Sequence, residues 1–156
     1  MTRIEELIDR LALTPHPEGG FYASSFTGDR QPVNDRCQYT SIYFLLREGD
    51  KSHFHQLTAD ELWYFHEGDA LTIHMIEPDG TYRTEQLGLD LAKGERPQIL
   101  VKKGTIFGST VNGTYGLVGC MVSPGFQFED FKLFTESELL ERFPEHHAII
   151  KHLTMD

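Results

Sequence analysis

G-D-K-S-H-F-H-Q-L-T-A-D-E-L-W-Y-F-H-E-G, Gly49 to Gly68, is the stretch on which the reading of this chain turns. It sets His53 and His55 one residue apart, Glu61 six positions after the second histidine, and Gly68 seven beyond that. In a β-strand, side chains two apart share a face, so a regular strand would aim both imidazoles at one side of a sheet. Glu61 opens the next aromatic run and can return beside them across a turn. Two imidazoles and a carboxylate converging from neighbouring strands suit a divalent transition metal such as Fe, Mn, Ni or Zn. The bland alternative is a partly buried, hydrogen-bonded histidine pair.

The pattern resembles the first motif of the cupin superfamily, G-x5-H-x-H-x3-4-E-x6-G. The step from Glu61 to Gly68 matches in spacing, Gly49 stands two residues closer to His53 than the motif has it, and the gap from His55 to Glu61 is one residue longer. His16 to Tyr22 (H-P-E-G-G-F-Y), Thr40 to Leu46 (T-S-I-Y-F-L-L) and Pro124 to Phe131 (P-G-F-Q-F-E-D-F) extend the similarity to small single-domain, RmlC-like cupins whose biochemical role is unassigned. The resemblance implies an all-β jelly-roll barrel (a double-stranded β-helix), one cupin domain over residues 1–156, and a homodimer. In metal-binding cupins the second motif ends P-x-G-x-x-H; here the stretch from Lys102 ends on Phe107, which leaves His53, His55 and Glu61 as a three-donor metal set.

The rest of the chain reads consistently with a barrel. Apolar residues at Ile4, Leu7, Ile8 and Leu11 behind a Thr2/Glu5 capping box predict a short N-terminal helix, ended by Pro15 and Pro17. From Cys37 to Phe134 short β-type runs alternate with turn signals. Strands are predicted at 38–46, 51–55, 61–66, 70–77, 81–87, 98–101, 105–109 and 115–122, with Pro78-Asp79-Gly80 as a hairpin turn. Helical periodicity returns after a second capping box, Thr135/Glu138, giving a C-terminal helical segment.

Strand parity nominates the interior. If Glu61 faces inward, Trp63 and Phe65 share its side. On the run from Ala70 to Glu77 the face bearing His74 is a candidate cavity wall, or equally an intersheet packing face. Tyr22 and Tyr43 can pack as strand aromatics or offer phenol groups to a ligand; Phe107 and Phe126 would narrow the barrel mouth with apolar surface. His16 and Glu18 sit in a loop shaped by prolines and paired glycines, which favours a structural role for them.

Composition sets the limits. The chain has 156 residues, a net charge of −10 and no basic cluster beyond Lys102-Lys103, which excludes nucleic acid as a partner because that affinity rests on phosphate neutralisation. The charged N-terminus and short apolar runs give no membrane span or signal peptide, and two isolated cysteines fit a reduced, cytoplasmic setting. The expected partner is a small-molecule ligand.

Three functions remain open. A metal-dependent enzyme would use His53, His55 and Glu61 to hold an ion acting on a small organic or sugar-like substrate. A metal-free isomerase or epimerase would take His55 or His53 as base, oriented by Glu61, with Tyr22 or Tyr43 as acid. A non-catalytic binding module would keep the pocket, with Tyr22, Trp63, His74, Phe107 and Phe126 around the ligand.

Overall fold

A computed structural model describes residues 1–155. In chain order the elements are α1 (Arg3–Arg10), β1 (Thr14–Pro15), β2 (Phe21–Thr27), β3 (Arg30–Gln31), β4 (Arg36–Cys37), β5 (Thr40–Arg47), β6 (Lys51–Gln56), β7 (Asp60–Gly68), β8 (Leu71–Ile76), β9 (Tyr82–Leu87), β10 (Gln98–Val101), β11 (Ile106–Val111), β12 (Tyr115–Ser123), β13 (Lys132–Leu133), α2 (Glu136–Arg142) and α3 (His147–His152). Both predicted capping boxes form, Thr2 with Glu5 and Thr135 with Glu138.

Two antiparallel sheets face each other in the cupin jelly-roll arrangement: β1-β2-β5-β12-β7-β10, and β13-β6-β11-β8-β9. Their inner faces interdigitate around Phe44, Leu46, Trp63, Ile73, Met75 and Val118, all 1% exposed or less. At roughly 25 cal/mol per Å² of apolar surface removed from water, this layer is the main favourable term in folding.

The outer faces are covered from within the chain. Leu7 and Leu13, from α1 and the turn after it, pack on Leu45 and Leu117. On the other sheet, Phe134, Leu139, Phe143, Ile150 and Leu153 of the C-terminal segment cover Phe54, Ile76 and Ile106. The run Ile42 to Leu46 is apolar on both sides for this reason: Phe44 and Leu46 face the core while Leu45 faces α1.

Irregularities interrupt three of the ladders, one of them in β2 between Ser24 and Phe26. Ser52 pairs with Ser109 and His55 with Phe107, so His53 and Phe54 together oppose the single residue Gly108. This β-bulge flips the alternation of β6 and puts Ser52, rather than His53, on the face of His55. Gly108 is required there, because a Cβ would press on the Ser52 carbonyl and crowd the backbone of His53 and Phe54. A further bulge lies in β7, where Phe65 pairs with Val118 and Glu67 with Leu117, leaving His66 unpaired.

Candidate functional site

One end of the barrel holds a cavity of about 250 Å³. β7 sends Glu61 and Trp63 into it, β6 sends His55, β5 sends Thr40 and Phe44, and β2 sends Tyr22. His16 and Glu18 enter from the loop before β2, and Phe126 and Phe128 from the loop after β12.

The Glu18 loop is positioned by its glycines. Gly19 and Gly20 have φ of +113° and +74°, a left-handed backbone that residues with a Cβ rarely adopt. A Cβ on Gly19 would overlap the Lys51 carbonyl, and one on Gly20 would lie 2.9 Å from the Leu45 carbonyl oxygen. Only bare backbone approaches this closely, and it delivers Glu18 onto β6, where the His53 N–H donates to the Glu18 carbonyl at 2.7 Å.

His55 and Glu18 form the centre of the site. His55 is 2% exposed and Glu18 is 7% exposed. The His55 Nε2 is 2.8 Å from a Glu18 carboxylate oxygen, and its Nδ1 is 2.7 Å from the His53 carbonyl, which can only accept. Ser52 Oγ donates to the other Glu18 oxygen at 2.9 Å. Burial drives the Glu18 carboxyl upward, but the charge and hydrogen bond of His55, then His16 and Ser52, bring it below its ordinary value. Burial likewise drives His55 down, and the Glu18 carboxylate more than offsets it, so His55 titrates above its ordinary value. The pair is imidazolium and carboxylate, and both ring nitrogens of His55 are committed as donors.

Glu61 has the opposite state. It is 8% exposed and has no hydrogen-bond partner among the described residues. Burial pushes its carboxyl up to about 8; the nearby Glu18 charge adds to this, and His55 and the Trp63 indole oppose it. The Trp63 N–H stands near Glu61 but short of hydrogen-bond geometry, so this indole, 1% exposed, is unpartnered as well. Burial lowers His16, which is therefore neutral; its Nδ1 accepts the Glu18 N–H at 3.1 Å, so the ring proton sits on Nε2. The 3.9 Å approach of His16 Nδ1 to Glu18 is then a contact between a neutral ring and a carboxylate.

Of the residues nominated from sequence, the cavity brings together His55, Glu61, Tyr22, Trp63 and Phe126. His53 does not join them: the β6 bulge turns it away, and its Nδ1 sits 2.6 Å from the Glu18 carbonyl oxygen. Tyr43 lies on the outer face in the cluster beneath α1, opposite to Phe44. His74 faces away from the core, held by the Tyr82 hydroxyl at 2.8 Å and Thr110 Oγ1 at 3.0 Å. Phe107 stands behind the cavity, its ring 4.1 Å from that of His55 and 1% exposed. The partner of His55 to which sequence reasoning gave a structural role is Glu18, which also accepts from Ser52; the signal was the placing of His16 and Glu18 either side of Pro17, immediately before paired glycines.

A transition metal does not fit this donor set. His53 is diverted, His55 gives both nitrogens to hydrogen bonds, and an apolar ring occupies position 107. Among the described residues no group of three His, Cys, Asp or Glu side chains is placed to hold an ion.

The early arginines are also committed. Arg36 donates to the Gly125 carbonyl at 2.6 and 3.0 Å and to that of Pro124 at 3.3 Å, while Arg30 pairs with Asp35 and Arg47 with Asp50. Cys37 and Cys120 are free thiols, and burial beside the Glu61 and Glu18 charges pushes Cys120 up. No helix among the described residues is long and apolar enough to cross a membrane.

A family model described as Cupin superfamily (DUF985) matches residues 5–134. An uncharacterised protein of Saccharomyces cerevisiae is 29% identical over 149 residues, spanning 81% of this chain and 73% of that one. A Shewanella oneidensis protein solved by X-ray crystallography is 54% identical with a TM-score of 0.95 and 99% of both chains covered. A hypothetical protein from Leishmania major is 38% identical, with a TM-score of 0.92 over 99% of this chain and 100% of that one. Bacillus subtilis oxalate decarboxylase, at 13% identity and a TM-score of 0.60 over 89% of this chain and 36% of that one, is alike in fold alone.

Proposed function

The chain belongs to the Cupin superfamily (DUF985), and on its barrel we propose a proton-transfer enzyme acting on a small organic molecule, with Glu61 as acid and Glu18 as base. The observation that carries this reading is the pair of carboxyl groups lining one cavity in opposite protonation states. Environments that push two titratable groups apart assign acid and base roles. A group poised near neutral pH is also the most effective proton donor at working pH.

In the step proposed, the carbonyl oxygen of the substrate accepts a hydrogen bond from the Glu61 carboxyl. A lone pair of the Glu18 carboxylate takes the proton from the adjacent carbon. As the C–H bond breaks, its electron pair forms the carbon–carbon double bond, and the carbonyl electrons take the Glu61 proton to give a neutral enol. Return of a proton to carbon and of the hydroxyl proton to Glu61 completes an isomerisation or epimerisation with no net change in the protein.

His55 holds Glu18 ionised and fixed, and Ser52 fixes its second oxygen. His55 is therefore a positioning residue. Phe126 and Phe128 screen the mouth from water, and Arg36 pins the backbone of their loop through the Gly125 carbonyl.

The test is solvent exchange. Small carbonyl compounds incubated with the protein in D₂O are expected to lose their α-proton signals by NMR at a rate that drops at least a hundredfold in Glu18→Gln and in Glu61→Leu. Saturable binding with no exchange in any compound would make the chain a binding module instead.

A further inference from the structure

Resting on that reading of the cavity, we propose that the substrate class is an uncharged, single-ring carbonyl compound bearing no phosphate, its oxygen received by Glu61 and its ring laid against the aromatic wall. The first argument is charge. No lysine or arginine lines the cavity. The guanidinium group of Arg36 is held by the carbonyls of Pro124 and Gly125, in the loop that carries Phe126. The cationic side chain that does line it, His55, is neutralised by Glu18 at 2.8 Å. A phosphate or carboxylate would meet the Glu18 charge with no free counter-ion, which makes its desolvation unrecovered. An ammonium ion would have to compete with His55 for the same carboxylate.

The second argument is the set of uncommitted polar groups. Glu61 is unpartnered, more than nine-tenths buried and on the cavity wall. His16 presents its Nε2–H, since Nδ1 is occupied by the Glu18 N–H. Thr40 Oγ1 already accepts from the Phe126 N–H at 2.8 Å, which leaves its hydroxyl proton to donate. These are hydrogens awaiting an acceptor oxygen, and buried donors left unpaired are costly.

The third argument is size and surface. About 250 Å³ falls below the ~300–1,000 Å³ of sites for drug-sized ligands and suits one ring with short substituents. Tyr22, Phe44, Trp63, Phe126 and Phe128 supply flat apolar walls for it.

Three probes of one ring and different charge separate the possibilities: acetophenone (neutral), phenyl phosphate (anion) and benzyltrimethylammonium (cation), each titrated calorimetrically into the full chain. Acetophenone is expected to bind saturably, at least tenfold tighter than either ion, and to weaken at least tenfold in Glu61→Leu but less than threefold in Glu61→Gln. Equal or tighter binding of either ion, no binding of any probe, or an affinity for acetophenone unmoved in Glu61→Leu would overturn the assignment. The comparison among probes on the unaltered chain decides the class even where a Glu61 variant fails to fold. Acetophenone binding as expected without α-deuterium exchange in any carbonyl compound sinks the proton-transfer reading alone. Exchange confined to phosphorylated carbonyl compounds sinks the substrate class alone.

Discussion

Glu61→Gln tests the site through stability, independently of any substrate. The Glu61 carboxyl titrates at about 8 in the fold and at its ordinary 4.5 in the unfolded chain. Between these values the unfolded state ionises while the folded state holds its proton, so the unfolded state binds fewer protons and stability falls as pH rises. Below pH 4.5 both states are protonated and nothing is lost; above 8 the loss is complete. With 1.36 kcal/mol per pKa unit, the penalty is about 1 kcal/mol at pH 5, about 3 at pH 7 and about 4 at pH 8. Glutamine keeps the shape and does not titrate, so it removes the pH-dependent part. Any constant offset from burying its amide cancels when two pH values are compared. Urea unfolding at pH 5 and pH 8 should therefore show the variant gaining about 3 kcal/mol on the parent between the two. A difference constant across that range would mean that Glu61 is ionised in the fold throughout, and would remove the acid from the proposed chemistry.

His55→Ala leaves the Glu18 carboxylate buried without its counter-ion and should cost about 3–5 kcal/mol at pH 7; in the double variant with Glu18→Ala the cost should fall well short of the sum, and simple additivity in urea unfolding would contradict the pairing. His74, held neutral at about 4 mainly by burial, is charged below 6.5 in the unfolded chain, so stability should decline as pH drops from 6.5 towards 4. Discounted for its partial exposure, the loss is about 1–2 kcal/mol, and His74→Gln should flatten that limb of the stability profile. Gly19→Ala places a Cβ on the Lys51 carbonyl at a φ of +113° and should cost about 2 kcal/mol or more in urea unfolding; an unchanged midpoint would refute the close approach that seats Glu18.

Where side-chain pattern and backbone ladder are regular, the sequence is a sufficient guide. Gln98–Val101 forms the strand its residues predict, the strand nominated from Lys51 runs one residue further to Gln56, and Glu61 and Trp63 share the inner face as parity requires. The N-terminal and C-terminal helical segments follow from apolar spacing behind their capping residues. Parity misplaces His53 because it assumes one residue opposite one, and β6 carries an extra residue across from Gly108. That insertion is a property of the pair of strands, and nothing in S-H-F-H announces it. Tyr43 is ambiguous for a different reason: I-Y-F-L-L is apolar on both sides, since one face meets the core and the other meets α1, so alternation gives no sign of which is which. The C-terminal helical segment is broken at Pro144, and its last helix begins at His147 after a short 3₁₀ turn through Pro144–His146.

Burial is the main reason that Glu61 keeps its proton, and a residue far from it in the chain, Glu18, adds to the effect. β7 supplies the carboxyl and the desolvation, but the asymmetry between Glu18 and Glu61 comes from partners. Glu18 has an imidazolium on one oxygen and a hydroxyl on the other; Glu61 has neither. Once Glu18 is ionised, its charge raises the cost of ionising Glu61 in the same poorly screened cavity. The loop that carries Glu18 thus sets which carboxyl keeps its proton, and that loop closes only because Gly19 and Gly20 let bare backbone lie against Lys51 and Leu45. The bulge contributes the other half, turning Ser52 inward to fix Glu18 and His53 outward to hold the Glu18 backbone. In this way a position that parity reads as a metal ligand becomes part of the brace for the Glu18 carboxylate.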